Sequence, residues 1–498
     1  MSIKKNRLLC IIMTIAMLVA FLPSMAFGLE PVEPVEPAYA YIPNMGDASV
    51  SKVDLTAETP LVVARYFTAP RLDAAGDWGD LFGSAAGDLT AIAPAGWRTS
   101  RLAIDPAGNA WALNTGADSG VATVQGSVAR IQFDVSGLTT TSTSAGDIKL
   151  FGTDEAVTVF PIGDRGDCPR SINVTADGRI FIGFHKAYEK WGYFQEYSFD
   201  GTDLTPVGPR IYGLGVSDEL GDPYPAFDIA PYNATIDVNG TLWFVSYGSS
   251  RVNRNGGTFG SNNGIYSFNI DDPLNTFERH LESSPTGEPM GYMKSGYGIL
   301  IDDSDPENVI VYATIMDTAG GATPGFYIKD GNASFIKSGI VTYAPRGLAF
   351  DDNGVIWIAN SSNGSVTSFN PDGGATANYT GFGSVPVGVG KDPEGRMWII
   401  VRDSNKLVGF DPATPNDRIT IGSGFNQPYA YGDFAVHTPP TYCICGYKLD
   451  ADTEEGLGNW TIELFKKDDA GGWQFVKSTT TSAIDGKYCF DGLLAGEY

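Results

Sequence analysis

A ten-residue unit that returns along the chain restricts its fold more than any other feature. It is clearest at Asp351-Asp352-Asn353-Gly354-Val355-Ile356-Trp357-Ile358-Ala359-Asn360, continued by Ser365-Val366-Thr367-Ser368-Phe369-Asn370. The stretch reads as turn, strand, turn, strand. Ile356 and Ile358, then Val366 and Ser368, alternate with their neighbours as half-buried strands do. Asp at the first position of a type I turn bonds its own backbone, and Gly closes the fourth.

The same turn stands at residues 105–108 before Trp111, 237–240 before Trp243 and 392–395 before Trp398. Weaker copies stand at 175–178 before Phe181 and at 305–308 before Val311. After each comes a strand ending in a large apolar residue and then Asp or Asn, as at Phe133-Asp134, Phe199-Asp200, Phe268-Asn269 and Phe410-Asp411. A seventh copy, Tyr41-Ile42-Pro43-Asn44 with Val50 to Val53-Asp54, opens the array without its first strand. From Tyr41 to Val53, Trp357 to Phe369 and Trp398 to Phe410 the step is 12 residues each time. Such self-similarity means an array in which no unit buries its faces alone.

The missing first strand stands at the far end, where residues 427–436 (Gln427-Pro428-Tyr429-Ala430 onward) match Ala344-Pro345-Arg346-Gly347-Leu348-Ala349-Phe350. A tail strand that completes a head sheet closes a ring and removes the long edges of an open array. The expectation is an all-β chain with a seven-bladed β-propeller over residues 40–437. Six blades is the alternative, with the weak copy at Val311 as an insertion.

These residues carry a resemblance. Ala40-Tyr41-Ile42-Pro43-Asn44-Met45-Gly46-Asp47-Ala48-Ser49-Val50-Ser51 resembles the YVTN repeat of surface-layer β-propellers. Pro345-Arg346-Gly347-Leu348-Ala349-Phe350-Asp351 through Asn360 is similar to NHL-type and streptogramin lyase (virginiamycin B lyase)-like propeller repeats. The resemblance implies the fold; propellers host many activities, so it implies no single function.

The chain has 498 residues, more than one ordinary domain. Residues 1–28 read as a secretory signal peptide: Lys4, Lys5 and Arg7, then an apolar run from Leu8 to Leu22, Pro23, and Ala26-Phe27-Gly28 at the cleavage site. The apolar run is shorter than the ~20 residues a spanning helix needs, so no membrane span is expected in the mature chain. The Pro/Glu-rich linker at 29–39 is a stiff extended spacer. The expected location is extracellular or at the cell surface. A formal charge of −25 argues against a nucleic-acid partner, whose phosphates it would repel.

At Pro439-Pro440 the composition changes. A linker at 438–442 precedes a module at 443–498 whose ending, Asp485-Gly486-Lys487-Tyr488-Cys489-Phe490-Asp491-Gly492-Leu493-Leu494-Ala495-Gly496-Glu497-Tyr498, resembles the SdrD B-like/CnaB-like (prealbumin-like) surface modules. The resemblance implies a small β-sandwich, incomplete at the C-terminus as the chain stands, and places Lys448 where such modules carry an isopeptide lysine. Cys443 and Cys445 lie on one strand face, and either could bond Cys489 in an oxidising compartment; the pair Cys445–Cys489 is the expected disulfide.

The binding candidates are the entries of the first strands, which in propellers line one mouth of the channel: Arg98, Arg101, Arg170, Tyr297, Arg346 and Tyr429. Four Arg converging in an acidic protein would form a local positive basin. Guanidinium forks suit carboxylates or acidic sugars, and aromatic faces suit sugar rings or peptide side chains. The competing expectation is that these Arg pair with the turn Asp residues of adjacent blades.

Resemblance to streptogramin lyases implies paired His and Glu at that mouth. The three histidines, His185, His280 and His437, share no equivalent blade position. A gluconolactonase-like metal site would need carboxylates at the strand ends. Asn44, Asn114, Ser246 and Asn360 share such a place, three residues after the strand-2 aromatic, with no carboxylate among them. The expectation is no metal or other cofactor, Ca2+ being the one ion with any candidate ligands.

The reading is an exported protein whose propeller recognises a cell-wall or extracellular glycan or protein ligand, with the C-terminal module as a stalk. The alternatives are an extracellular lyase-like or gluconolactonase-like enzyme, and a structural surface-layer component.

Overall fold

The computed structural model describes residues 38–69, 98–115, 125–149, 151–185, 192–217, 223–227, 229–247, 264–280, 282–283, 289–291, 296–315, 326–331, 335–337, 340, 342–371, 373, 376–430, 434–437, 442–451, 453, 455–467, 472–493 and 498. The signal peptide and nearly all of both linkers lie outside the described residues. The chain divides into two compact units, residues 38–437 and the part from Thr438 onward.

Among the described residues the first unit contains seven blade sheets and a separate two-stranded sheet of Gly213–Ser217 with Pro223–Phe227, and every blade pairing is antiparallel except that of Glu282–Ser283 with Phe335–Lys337. Blades 2 to 7 follow the chain outward from innermost strands Arg98–Ile104, Cys168–Val174, Pro231–Ile236, Gly296–Asp302, Pro345–Phe350 and Pro386–Lys391. Blade 1 breaks the order. Its innermost strand is Ala435–His437, paired with Tyr39–Asn44 in the register Tyr39↔His437, Ala40↔Val436, Tyr41↔Ala435. Met45 N donates to Gln427 O and Tyr429 N to Pro43 O, so head and tail are laced over a longer stretch. Tyr431, within the matching stretch, lies outside the described residues. The weak copy at Val311 is a full blade, its sheet extended to six strands by Glu282–Ser283 and Pro289–Gly291. The only helix among the described residues is the short Pro273–Thr276.

The recurring Asp does two jobs in each strong copy. In blade 7 Asp392 Oδ1 accepts from the backbone N–H of Glu394 and Arg396, while Oδ2 accepts from the Trp398 indole at 2.8 Å. Asp105 with Trp111, Asp237 with Trp243 and Asp351 with Trp357 repeat the indole bond, each at 3.0 Å. The six-residue spacing puts the carboxylate under the indole of the next strand, so the turn is tied to the inter-blade core. Gly108, at φ +86°, shows why the fourth position is glycine.

Apolar side chains fill the spaces between neighbouring blades; Trp357, Val389, Met397, Ile399 and Phe410, from blades 6 and 7, form one such cluster. Blades 4 and 5 meet differently. Lys329 Nζ lies 3.1 Å from His280 Nδ1, and His280 stacks on Trp243 at 4.9 Å. An ammonium only donates, so Nδ1 is the acceptor and Nε2–H donates to Ser267 Oγ at 2.9 Å. His280 is therefore held neutral.

In the second unit, Tyr442–Tyr447 pairs with Lys487–Leu493 and Thr461–Lys467 pairs with Trp473–Thr480. Cys445 and Cys489 face each other in register and are disulfide-bonded. Leu464 and Phe490 are buried between the two pairs. Lys448 Nζ lies over the Trp460 ring.

Candidate functional site

Each innermost strand of blades 2 to 7 slips register once near its start. The slips fall between Thr99 and Arg101, Pro169 and Ser171, Pro231 and Asn233, Gly296 and Ile299, Pro345 and Leu348, and Pro386 and Gly388. A residue left out of the ladder is re-aimed away from the sheet. Those residues include Ser100, Arg170, Tyr232, Tyr297, Arg346 and Val387. Tyr429, after Pro428, holds the same sequence position in blade 1. Glycines after some of these residues let the strands close around the channel: a Cβ on Gly298 would lie 2.4 Å from Arg346 O, and one on Gly388 the same distance from Ala430 O.

The re-aimed side chains meet. The Tyr232 and Tyr297 hydroxyls are 3.3 Å apart, as are those of Tyr297 and Tyr429. Arg346 donates to Tyr429 Oη at 3.3 Å and lies over the Tyr297 ring at 5.0 Å. Arg101 and Arg170 flank the Tyr232 ring at 4.9 and 5.4 Å, and Arg101 Nε donates to Tyr232 O. Arg170 reaches Ser100 Oγ. Tyr247 packs tilted against Tyr232, with ring centroids 4.8 Å apart, and edge-on against Tyr297, while His185 bonds the Tyr247 carbonyl at 2.7 Å. Arg101, Arg170, Tyr232, Tyr297 and Tyr429 are buried; Arg346, Tyr247 and His185 are half-buried and form the rim.

Of the six sequence candidates, the structure brings five together. Arg98 lies exposed at the head of its strand, three residues before Arg101. Two members were not singled out from sequence, Tyr232 and Tyr247. Tyr232 had a readable signal, since Pro231-Tyr232 repeats the pattern of Pro169-Arg170, Pro345-Arg346 and Pro428-Tyr429. The turn aspartates are not the partners of these Arg. They stand at the opposite ends of the inner strands and are taken up by their own turns and tryptophans.

Electrostatically the cluster is a set of cations and phenols acting on one another. Burial pushes Tyr232 up, but Arg170 and Arg101 outweigh it, helped by hydrogen bonds with Tyr297 and Tyr429, and its pKa falls below the ordinary phenol value. Burial and the Tyr232 charge raise Tyr429 to about 12 and lift Tyr297 well above its ordinary value. Burial opposes the Arg346 charge, yet Tyr297, Tyr429, Tyr232 and Tyr247 together raise its pKa. Tyr232 is thus the first of the three to ionise. In an alkaline titration followed by tyrosinate absorbance, Tyr232→Phe is expected to remove the earliest phase and Arg170→Gln to move it to higher pH. An unchanged early phase in both variants would show that the guanidiniums do not govern this phenol.

The three histidines stand in three settings: His185 at the rim, His280 between blades 4 and 5, and His437 against Phe133 at 4.5 Å. The Asn positions weighed for a cation are hydrogen-bonded within the protein. Asn44 donates to Ser49 and Ser51, Asn114 to Ser127 and Thr68 O, and Asn360 to Ser365 and Thr367.

No family model matches the chain. No curated protein matches it either. Among solved structures it is similar to a catalytically inactive virginiamycin B lyase from Staphylococcus aureus with quinupristin, at 12% identity and TM-score 0.40, over 66% of this chain and 86% of that one. A selenomethionine-substituted virginiamycin B lyase from the same organism is similar at 16% identity and TM-score 0.32, over 62% and 83%. A streptogramin B lyase is similar at 12% identity and TM-score 0.42, over 70% and 91%. Likeness this distant carries nothing about the site; the seven blades rest on the strand pairing above.

Proposed function

We propose that the propeller is a recognition module whose channel mouth takes the anionic group of an extracellular glycan or protein ligand. The observation that carries this reading is the convergence of Arg101, Arg170 and Arg346 on three phenols in a chain of net charge −25. A guanidinium half-buried at a rim, as Arg346 is, presents a fork to a carboxylate at low effective dielectric. Export rests on the N-terminal leader, and the C-terminal module serves as a stalk. This reading needs no cofactor.

The test is calorimetric binding of uronate-containing oligosaccharides, acidic peptides and neutral glycans. Acidic ligands are expected to bind and neutral analogues to bind more weakly. Arg170→Gln with Arg346→Gln is expected to weaken binding by roughly 30-fold or more, since losing a partner of a desolvated charge pair costs about 2–5 kcal/mol. Equal affinity of the double variant, or no preference for acidic ligands, would refute the reading.

The second reading, a lyase-like or gluconolactonase-like enzyme, is favoured by one observation, the easily ionised Tyr232 at the foot of the mouth. It requires turnover of an acidic substrate that Tyr232→Phe abolishes while leaving binding intact.

A further inference from the structure

The second unit departs from sandwich architecture on one face. Side chains alternate between the two faces of a strand, the inner set packing and the outer set facing water. In the pair Thr461–Lys467 and Trp473–Thr480, the inward Leu464 is buried with Phe490. The outward set of the first strand includes Glu463, Phe465 and Lys467, all exposed. Opposite them stand Ser478, Phe475 and Trp473, in the register Glu463↔Ser478, Phe465↔Phe475 and Lys467↔Trp473. Trp473 is 53% exposed, Phe475 49% and Phe465 38%, and the two phenylalanine rings pack edge-on at 5.7 Å. Three large aromatics side by side on an outer face form a patch of the kind that marks an interaction surface.

The order of these residues selects what covers the patch. The two phenylalanines stand at its centre, with a carboxylate two residues to one side and an ammonium two residues to the other. Consider a twofold axis in the plane of the contact, crossing both strands at the phenylalanines. It reverses the strand direction and sets each strand against its own counterpart. Phe465 and Phe475 then meet their counterparts, Glu463 meets Lys467 of the second copy at both ends, and the bulky Trp473 falls over the small Ser478. The patch is complementary to itself in charge and in size, as an isologous contact requires. A neutral glycan would leave both charges unanswered.

We propose that the second unit docks face to face with a second copy of this chain through Phe465, Phe475 and Trp473, with two Glu463–Lys467 pairs fixing the register. The face is small. Seven residues at ~3.4 Å each, on two strands ~4.8 Å apart, span roughly 230 Å², well below the ~800 Å² per partner of a standard complex. The association is therefore weak and reversible. It is independent of the function proposed for the mouth.

The test is sedimentation equilibrium of the full chain over a concentration series, in which reversible dimers are expected. Glu463→Lys sets like charges against each other at both ends, as does Lys467→Glu, and each is expected to weaken the dimer by roughly tenfold or more. Mixed in equal amounts, the two variants regain both pairs and are expected to associate as strongly as the wild type. Both exchanges in one chain are expected to do the same. A folding defect cannot imitate that rescue. Phe475→Ser, confirmed as folded by circular dichroism, is expected to weaken the dimer by roughly tenfold. A chain that stays monomeric at its highest soluble concentration, a dimer that neither charge variant weakens, or a mixture that fails to recover would overturn the proposal. Co-sedimentation of a monomer with insoluble cell-wall polysaccharide, lost in Phe475→Ser, would overturn it by giving the patch to a glycan.

Discussion

Asp392→Ala is expected to lower the unfolding free energy of the propeller by about 3–5 kcal/mol, the range seen when one partner of a buried, hydrogen-bonded ion pair is removed. The carboxylate is 1% exposed and holds four donors: the backbone of Glu394 and Arg396, the Arg396 guanidinium and the Trp398 indole. Deleting it leaves the buried Trp398 indole N–H without its acceptor, takes one of the Arg396 guanidinium's partners while Glu394 remains, and unties the turn from the core. Arg396 also reaches across to Leu55 O in blade 1, so the damage falls on a blade contact that helps close the ring. The control is Asp352→Ala. Its carboxylate is exposed and paired with Lys391 at the surface, and its loss should cost less than about 1 kcal/mol. Denaturant unfolding of the two variants measures the difference. Equal costs would mean that the repeated Asp–Trp bond contributes little, and that the tryptophans are held by packing alone.

The second large effect is with pH. Burial, and then the Lys329 charge, lower the His280 pKa to about 3, and its ring faces Lys329, Ser267, Trp243 and Glu278. The folded value lies below the unfolded one of 6.5. Between the two the unfolded chain binds a proton that the folded chain refuses. Stability is therefore complete above pH 6.5 and is lost as pH falls toward 3, with a slope of about 1.4 kcal/mol per pH unit and up to about 5 kcal/mol over the whole window. His437 is lowered in the same direction, by burial and then Lys52, and adds to the slope. Carboxylates do not titrate appreciably above about pH 5, so the range from 6.5 to 5 isolates the histidines. His280→Gln is expected to be less stable at pH 7.5 but to lose less on going to pH 5. A wild-type slope that the substitution leaves untouched would remove His280 from this role.

The blades were legible because their cause is local. An Asp that caps its own turn, a Gly at its close and a large aromatic six residues on form a signal contained in one stretch of chain. Even the weak copy at Val311, with no Trp and Asn308 in place of Gly, has the strand lengths of its neighbours and folds as a blade. The join of residues 435–437 to the head was legible for a related reason. A stretch that matches a first strand, at the end of an array that lacks one, has a single unfilled edge to pair with.

The site was legible only in part. Arg170, Arg346 and Tyr429 follow a Pro at the same strand position, and Tyr232 does too, yet a tyrosine after proline looks like any half-buried strand residue. What distinguishes it is the register slip between Pro231 and Asn233, a feature of pairing with the next strand. In blade 2 the slip leaves out Ser100 rather than Arg101, and Arg101 reaches Tyr232 from the neighbouring position.

By itself the sequence determined the turns, the strands that follow them in each copy and the way the last completes the first, since each follows from residues near one another or from matching copies. That the weak copy at Val311 is a seventh blade and not an insertion was decided by the structure. The tertiary structure alone decided which side chain of each inner strand faces the channel and which others it meets there. Residues 65 and 132 positions apart, as Tyr232 and Tyr429 are from Tyr297, become neighbours only when the ring closes. The charges they then impose on one another in a buried place have no counterpart in the open chain.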